Sequence, residues 1–151
     1  MIGQIYHVGL TVGDLDRSVR FYRDTLGLEY LGEIVMEGAE TDVLFGRKGC
    51  KARVAYLNGA ADTCAPPVEL IQFIDEDAHR EPGDLFTTSI SELCFRTDDA
   101  EAEYERLKLA GVDCLSAPQS FDFSDAGFGA SKAFYFRDPD GIVLEMMQPI
   151  G

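Results

Sequence analysis

The chain has 151 residues, and its 27 Asp and Glu against 13 Lys and Arg give a formal net charge of −14 at pH 7. This length suits one domain or two small modules that share a core, and the 46% hydrophobic content is too high for a disordered chain. The negative charge disfavours nucleic acid and anionic membranes as partners. Neither a signal-peptide pattern nor a long apolar run is present, so we expect a cytoplasmic protein.

The four cysteines show no C-x-x-C spacing and no clustering with histidine; they are Cys50, Cys64, Cys94 and Cys114. In a cytoplasmic chain this arrangement is typical of reduced thiols, which pack as small apolar side chains. We therefore expect neither a disulfide framework nor a thiolate metal site.

The first half of the chain predicts a strand, a helix and further strands. Residues 5–12 alternate, which would place His7 and Gly9 on one face of a strand. Asp14 is the predicted start of a helix that ends at Gly27. The later strands are expected over 28–36, 51–58 and 68–74, with a short helix as one possibility for 40–46.

The second half repeats this order, which indicates an internal duplication. A strand is predicted over 89–97, followed by a helix that begins with a capping-box-like pair, Asp98 and Glu101, and ends at Gly111. The three later strands are expected over 112–116, 131–137 and 142–148. The predicted organisation is a βαβββ module over 1–74, a linker over 75–88 and a second βαβββ module over 89–151.

Each half places one ionisable side chain in its first predicted strand and one in its last. They are His7 and Glu69 in the first half, and Glu92 and Glu145 in the second. A carboxylate within an apolar run is costly to bury unless it is paired or binds a cation. Singly, each such glutamate is most often solvent-facing and a lone histidine is most often structural. Their recurrence in two modules favours a shared site with one imidazole and several carboxylate oxygens.

Seven short segments form a combination that is specific although each one is weak. They are His7-Val8-Gly9-Leu10-Thr11-Val12, Asp14-Leu15-Asp16-Arg17-Ser18, Phe21-Tyr22, Leu26-Gly27-Leu28, Val68-Glu69-Leu70, Phe136-Arg137-Asp138-Pro139-Asp140-Gly141 and Leu144-Glu145. Together they resemble the vicinal oxygen chelate superfamily, which includes glyoxalase I, methylmalonyl-CoA epimerase, extradiol dioxygenases, and the fosfomycin and bleomycin resistance proteins. The resemblance extends over nearly the whole chain.

The resemblance implies an α+β fold in which tandem βαβββ modules form an open, cupped eight-stranded mixed sheet around a divalent ion, commonly in a homodimer. It implies His7, Glu69 and Glu145 as metal ligands. Glu92 stands where the family usually has a histidine, so the expected metal set is His7, Glu69, Glu92 and Glu145. The ion would be Zn, Ni, Mn or Mg, and the extra carboxylate shifts the preference toward harder ions.

The function implied is that of a glyoxalase-type lyase or isomerase, or an epimerase, acting on a small oxygenated substrate. The metal would act as a Lewis acid that stabilises an enolate or ene-diolate, with Glu145 and Glu69 as the candidate catalytic residues that move a proton at carbon. Two alternatives stay open. One is a bleomycin-resistance-like protein that sequesters a ligand without catalysis. The other is an extradiol-type dioxygenase, which is disfavoured because the only other histidine, His79, lies in the polar linker.

Two further segments are candidates for substrate contact. The aromatic and glycine-rich residues 120–129 suit either a lid over an organic substrate or an ordinary long loop. The densest positive cluster would bind an anionic substrate tail or form a solvated strand edge; it consists of Arg47, Lys48, Lys51 and Arg53.

Overall fold

A computed structural model describes residues 3–59, 67–74, 81 and 83–151. The chain divides into two compact units, Met1–Arg80 and Glu81–Gly151. Half of the predicted linker, residues 75–80 and 82, lies outside the described residues, as do Cys64 and His79. The module boundaries expected from the sequence therefore stay a prediction.

The first unit contains a four-stranded mixed sheet. Its elements are β1 (Val8–Thr11), α1 (Leu15–Arg20), β2 (Glu29–Met36), α2 (Ala39–Phe45), β3 (Ala52–Asn58) and β4 (Val68–Phe73). The strand order is β1-β4-β3-β2, in which β1 runs parallel to β4 and the other neighbours are antiparallel. The short helix considered for residues 40–46 is present as α2.

The second unit has the same topology. Its elements are β5 (Leu93–Arg96), α3 (Ala100–Leu109), β6 (Gln119–Phe123), β7 (Gly129–Arg137) and β8 (Val143–Ile150). The strand order is β5-β8-β7-β6, and again the first strand is parallel to the last while the others are antiparallel. The two units therefore confirm the α+β class and the tandem βαβββ order.

Helix α1 begins as the sequence predicts. The Asp14 side chain accepts a hydrogen bond from the Arg17 backbone N–H at 2.9 Å, which is the usual N-cap interaction. The helix continues as a π-helical turn over Phe21–Thr25, and Gly27 follows with a φ of 80°. Leu15 and Tyr22 are fully buried, so this helix covers the core face of the first sheet.

Helix α3 begins one residue later than expected. The N-cap is Asp99, whose carboxylate accepts from the Ala102 N–H at 3.0 Å, whereas Asp98 is exposed and lies 3.4 Å from Arg96. The capping pair predicted from Asp98 and Glu101 is therefore wrong by one position. The sequence presents two consecutive aspartates, and composition alone does not distinguish them as caps.

A glutamine at the same place in each unit joins the last strand to the start of the helix. In the first unit Gln72 accepts from the Leu15 N–H at 3.0 Å and donates to the Gly13 carbonyl at 3.3 Å. In the second, Gln148 accepts from the Ala100 N–H at 3.0 Å and donates to the Asp98 carbonyl at 2.9 Å. Each glutamine thus satisfies backbone groups that the first turn of its helix leaves unpaired.

The strand expected over residues 112–116 is wrong. Within that segment Cys114 forms only an isolated bridge with Phe136, and the missing strand is β6, which falls in the segment expected to be a lid or loop. Gly127 and Gly129 have φ values of 82° and 76°, so they allow the chain to turn from β6 back into β7. Residues 119–123 are therefore an edge strand, and the turn is confined to the residues after it.

No helix among the described residues is long and apolar enough to cross a membrane.

Candidate functional site

Glu69 lies in the middle of β4 and is largely buried, with 9% of its surface exposed. The register of the sheet places it beside Gly9 on the parallel strand β1 and beside Tyr56 on the antiparallel strand β3. Directly paired residues point to the same face of a sheet, so these three positions share one face. The neighbouring Leu70 points to the opposite face, where it is fully buried.

Both oxygens of the Glu69 carboxylate have a partner. Oε1 accepts a hydrogen bond from the Tyr56 hydroxyl at 2.9 Å, and Oε2 lies 3.1 Å from His7 Nε2. His7 precedes β1 and keeps 40% of its side chain exposed. The structure therefore brings together the histidine and glutamate that the sequence singled out in the first module.

Two neighbours shape the surroundings of this carboxylate. Burial, with the hydrogen bond to Glu69 and its charge, raises the pKa of Tyr56, so its hydroxyl stays protonated as a donor at neutral pH. Gly9 provides space, because a Cβ at that position would lie 3.3 Å from Glu69 Oε2. The first module thus presents one carboxylate oxygen to a donor and leaves the other close to an imidazole.

Glu145 occupies the corresponding position in β8 and is equally buried, with 8% of its surface exposed. Its register partners are Cys94 on β5 and Tyr135 on β7. The Cys94 thiol is hydrogen-bonded to the Glu145 carboxylate. A thiol is a weak donor, so this carboxylate remains costly to bury, and a bound cation would offset that cost.

Cys94 and Tyr135 show the electrostatic effect of the acidic groups around Glu145. Partial burial first, then the hydrogen bond to Glu145 and the charges of Glu145 and Glu92, raise the pKa of the Cys94 thiol to about 12. Burial, followed by the charges of Glu145 and Glu92, raises the pKa of Tyr135. Glu92 precedes β5, and its charge therefore acts on the same side chains as Glu145.

The donor chemistry of both modules fits a divalent ion. One imidazole nitrogen and carboxylate oxygens are ligands that Zn²⁺, Ni²⁺ and Mn²⁺ accept. Within residues 3–59, 67–74, 81 and 83–151, however, no three His, Cys, Asp or Glu side chains lie close enough to hold an ion. The structure thus pairs an imidazole with a carboxylate in the first module, and a thiol with a buried carboxylate in the second.

Tyr56 and Cys94 are neighbours of the candidate ligands that the sequence did not single out. Each becomes recognisable only from strand register, because Tyr56 pairs with Glu69 and Cys94 pairs with Glu145. Strand alternation indicates which residues share a face, but it does not indicate which residues of two strands are opposite each other.

Two further segments were candidates for substrate contact, the aromatic segment and the basic cluster, and the structure places their side chains differently. In β6 the rings of Phe121 and Phe123 are stacked with centroids 6.0 Å apart, and both remain about half exposed. In the basic cluster, Lys51 pairs with Glu37 at 2.8 Å, and Arg53 binds two carboxylates, those of Asp16 and Glu33. These ion pairs disfavour an anionic substrate tail at Lys51 and Arg53, because their charges are already compensated. The expected strand edge is wrong for Arg53, since β3 lies between β2 and β4.

Comparison with known proteins decides the family. The sequence model of the Glyoxalase/Bleomycin resistance protein/Dioxygenase superfamily matches residues 4–146. The chain belongs to this superfamily. It is 28% identical over 145 residues to a lactoylglutathione lyase from Haemophilus influenzae, covering 96% of this chain and 92% of that protein. It is 27% identical over 147 residues to a 2-epi-5-epi-valiolone epimerase from Actinomyces sp., covering 95% of this chain and 78% of that protein.

The fold agrees with this membership. A crystal structure of a glyoxalase family protein from Bacillus cereus aligns with a TM-score of 0.84 over 100% of this chain and 97% of that one, at 18% sequence identity. At this identity the likeness concerns the fold. It confirms the glyoxalase-like α+β fold predicted from the sequence.

Proposed function

We propose that this protein is a divalent-metal-dependent lyase or isomerase of the glyoxalase or epimerase type. The observation that supports this most directly is the His7–Glu69 pair, in which imidazole Nε2 and carboxylate Oε2 lie 3.1 Å apart in the first module. Superfamily membership and the relatives named lactoylglutathione lyase and 2-epi-5-epi-valiolone epimerase support the same reaction class.

The proposed ligands are His7, Glu69, Glu92 and Glu145. When bound, a divalent ion supplies a Lewis acid that polarises two vicinal oxygens of a substrate and stabilises the enolate or ene-diolate form. Three carboxylates against one imidazole favour a harder ion than a histidine-rich set would select, so Mn²⁺ and Mg²⁺ stand beside Zn²⁺ and Ni²⁺ as candidates.

The two buried glutamates have different proposed tasks in proton transfer. Glu69 Oε1 is engaged by the Tyr56 hydroxyl, so this side chain has a fixed orientation and suits a ligand. Glu145 is equally buried and interacts with the Cys94 thiol, a weak donor, so its oxygens are less constrained than those of Glu69 and more available to a substrate proton. We therefore propose Glu145 as the principal group that moves the proton at carbon, with Glu69 as the second candidate.

The proposed partners are a small oxygenated substrate and a second copy of the chain in a homodimer. The net charge of −14 disfavours a strongly anionic partner such as nucleic acid. Substrate identity is open to direct screening, with compounds that have vicinal oxygens or a hydroxyl beside a carbonyl as the first panel.

The test is elemental analysis of protein purified without chelator, beside H7A, E69Q and E145Q. We expect about one divalent ion per chain in the wild type and a reduced metal content in each variant. Formation of lactoylglutathione and exchange of substrate C–H protons in heavy water then measure the chemistry. A wild-type protein that binds no divalent ion contradicts the proposal. Tight binding of an organic ligand that persists in E69Q and E145Q would instead support ligand sequestration.

A further inference from the structure

The strand register of the first sheet places Tyr56 where its side chain contacts Glu69. It lies on β3, directly opposite Glu69 on β4, and its partner on the other side is Gly32 on β2. Gly32 has no side chain and has a φ of 127°, next to a register shift in the β2–β3 pairing. The tyrosine ring therefore has no side chain competing for it at the β2 position, and its hydroxyl reaches Glu69 Oε1 at 2.9 Å.

We infer that Tyr56 is a positioning residue, whose hydroxyl fixes the Glu69 carboxylate so that Oε2 faces His7 and the proposed ion. A glutamate side chain has three rotatable bonds, and a hydrogen bond to one oxygen removes most of that freedom. With Oε1 engaged, Oε2 is the oxygen that remains for His7 Nε2, and the absence of a side chain at Gly9 leaves space next to it. Groups that orient a ligand in this way commonly affect metal affinity as the ligands themselves do.

The second module provides a matched control for this inference. Tyr135 lies opposite Glu145 in the same register as Tyr56 lies opposite Glu69. Among the described residues, however, its hydroxyl makes no hydrogen bond to Glu145. Tyr56→Phe and Tyr135→Phe thus remove the same atom from equivalent strand positions, and only the first removes a hydrogen bond to a candidate ligand.

The first experiment titrates the full-length, metal-free protein with Mn²⁺ or Zn²⁺ by calorimetry, using the wild type and both variants. This measurement rests on the proposed function. We expect Y56F to bind the ion about tenfold or more weakly, in the range typical of groups that orient a ligand, and Y135F to bind within about twofold of the wild type. Equal affinity of Y56F and the wild type would overturn the inference. Melting temperatures of all three proteins verify that folding is intact.

The second experiment does not depend on a metal. Crystal structures of the metal-free wild type and Y56F are compared at Glu69. We expect the Y56F carboxylate to leave its place beside His7 Nε2 or to occupy several rotamers. An unchanged Glu69 would show that packing alone orients it and would overturn the inference. A wild type that binds no ion while Glu69 still moves in Y56F would contradict the proposed function and leave the positioning role supported.

Discussion

The two modules bury a glutamate at the same strand position and surround it differently. Glu69 has Gly9 beside it on the parallel strand and accepts a hydrogen bond from Tyr56 on the antiparallel strand. Glu145 has Cys94 in place of the glycine, and the thiol of this cysteine, a weak donor, is hydrogen-bonded to the carboxylate. The repeat thus preserves the position of the carboxylate while its neighbours differ. One carboxylate is oriented by a tyrosine hydroxyl, and the other has only a weaker donor, a thiol, as its neighbour on the parallel strand.

Removing the charge of either glutamate is the strongest test of this comparison. We expect E69Q and E145Q each to weaken binding of Mn²⁺ or Zn²⁺ by about a hundredfold or more, because a neutral amide is a far poorer ligand than a carboxylate. Calorimetric titration measures both. A loss of metal affinity in E69Q alone would limit the metal ligands to the first module. Unchanged affinity in both variants would contradict the proposed role of these glutamates as ligands.

The E145Q and E69Q variants are also expected to differ in turnover. If Glu145 moves the proton, E145Q assayed at a saturating metal concentration loses kcat, while E69Q recovers part of its activity once metal is supplied in excess. Equal and complete loss in both variants would indicate that the two carboxylates act together.

The thiol beside Glu145 gives a pH-dependent test in the second module. Because the pKa of Cys94 is raised to about 12, its thiolate remains a minor species at pH 8, and the thiolate is the reactive form. In metal-free protein we expect iodoacetamide to modify Cys94 at least about tenfold more slowly than a free cysteine at pH 8. The rate should continue to rise through pH 10, where an ordinary thiol levels off. Mass spectrometry of the modified peptide measures the rate.

Replacing Glu145 should change the pKa of Cys94 and its alkylation rate in a defined direction. Burial is the main cause of the raised pKa, and the interaction with Glu145 is the next. E145Q should therefore lower the pKa of Cys94 and accelerate its alkylation, whereas C94S identifies the modified site. A Cys94 that reacts as fast as free cysteine in the wild type would contradict the raised pKa of this thiol beside a carboxylate.

Replacing the residue beside each buried glutamate on the parallel strand should have a smaller effect on metal affinity. An alanine at position 9 would place its Cβ 3.3 Å from Glu69 Oε2, which forces the carboxylate to shift by a few tenths of an ångström. We expect G9A to weaken metal binding by about threefold to tenfold, through displacement of Oε2 from His7. C94A serves as the counterpart because it keeps a small side chain beside Glu145. Unchanged affinity in G9A would mean that Glu69 adapts without cost.

Much of this architecture follows from the sequence because it depends on local patterns. Alternation, helix spacing and the glycines at 27 and 111 predict the repeated strand and helix order, and carboxylates within apolar runs mark Glu69 and Glu145. The edge strand β6 was missed because its residues are all exposed, so no buried face distinguishes Gln119–Phe123 from a loop. The polar partners Tyr56, Gln72 and Gln148 depend on register between strands, which single-strand patterns do not contain.

The smallest effects concern the helix caps, where the modules are most alike. Asp14 and Asp99 each accept a backbone hydrogen bond in the first turn of their helices, at 2.9 and 3.0 Å. We expect D14A and D99A each to lower the free energy of unfolding by about 1 kcal/mol, the usual cost of removing such a cap. Urea denaturation followed by circular dichroism measures the difference. D98A is the matched control, since the Asp98 side chain makes an exposed contact with Arg96 and its removal should leave stability unchanged. A larger loss in D98A than in D99A would place the helix start at the position that the sequence pattern first indicated.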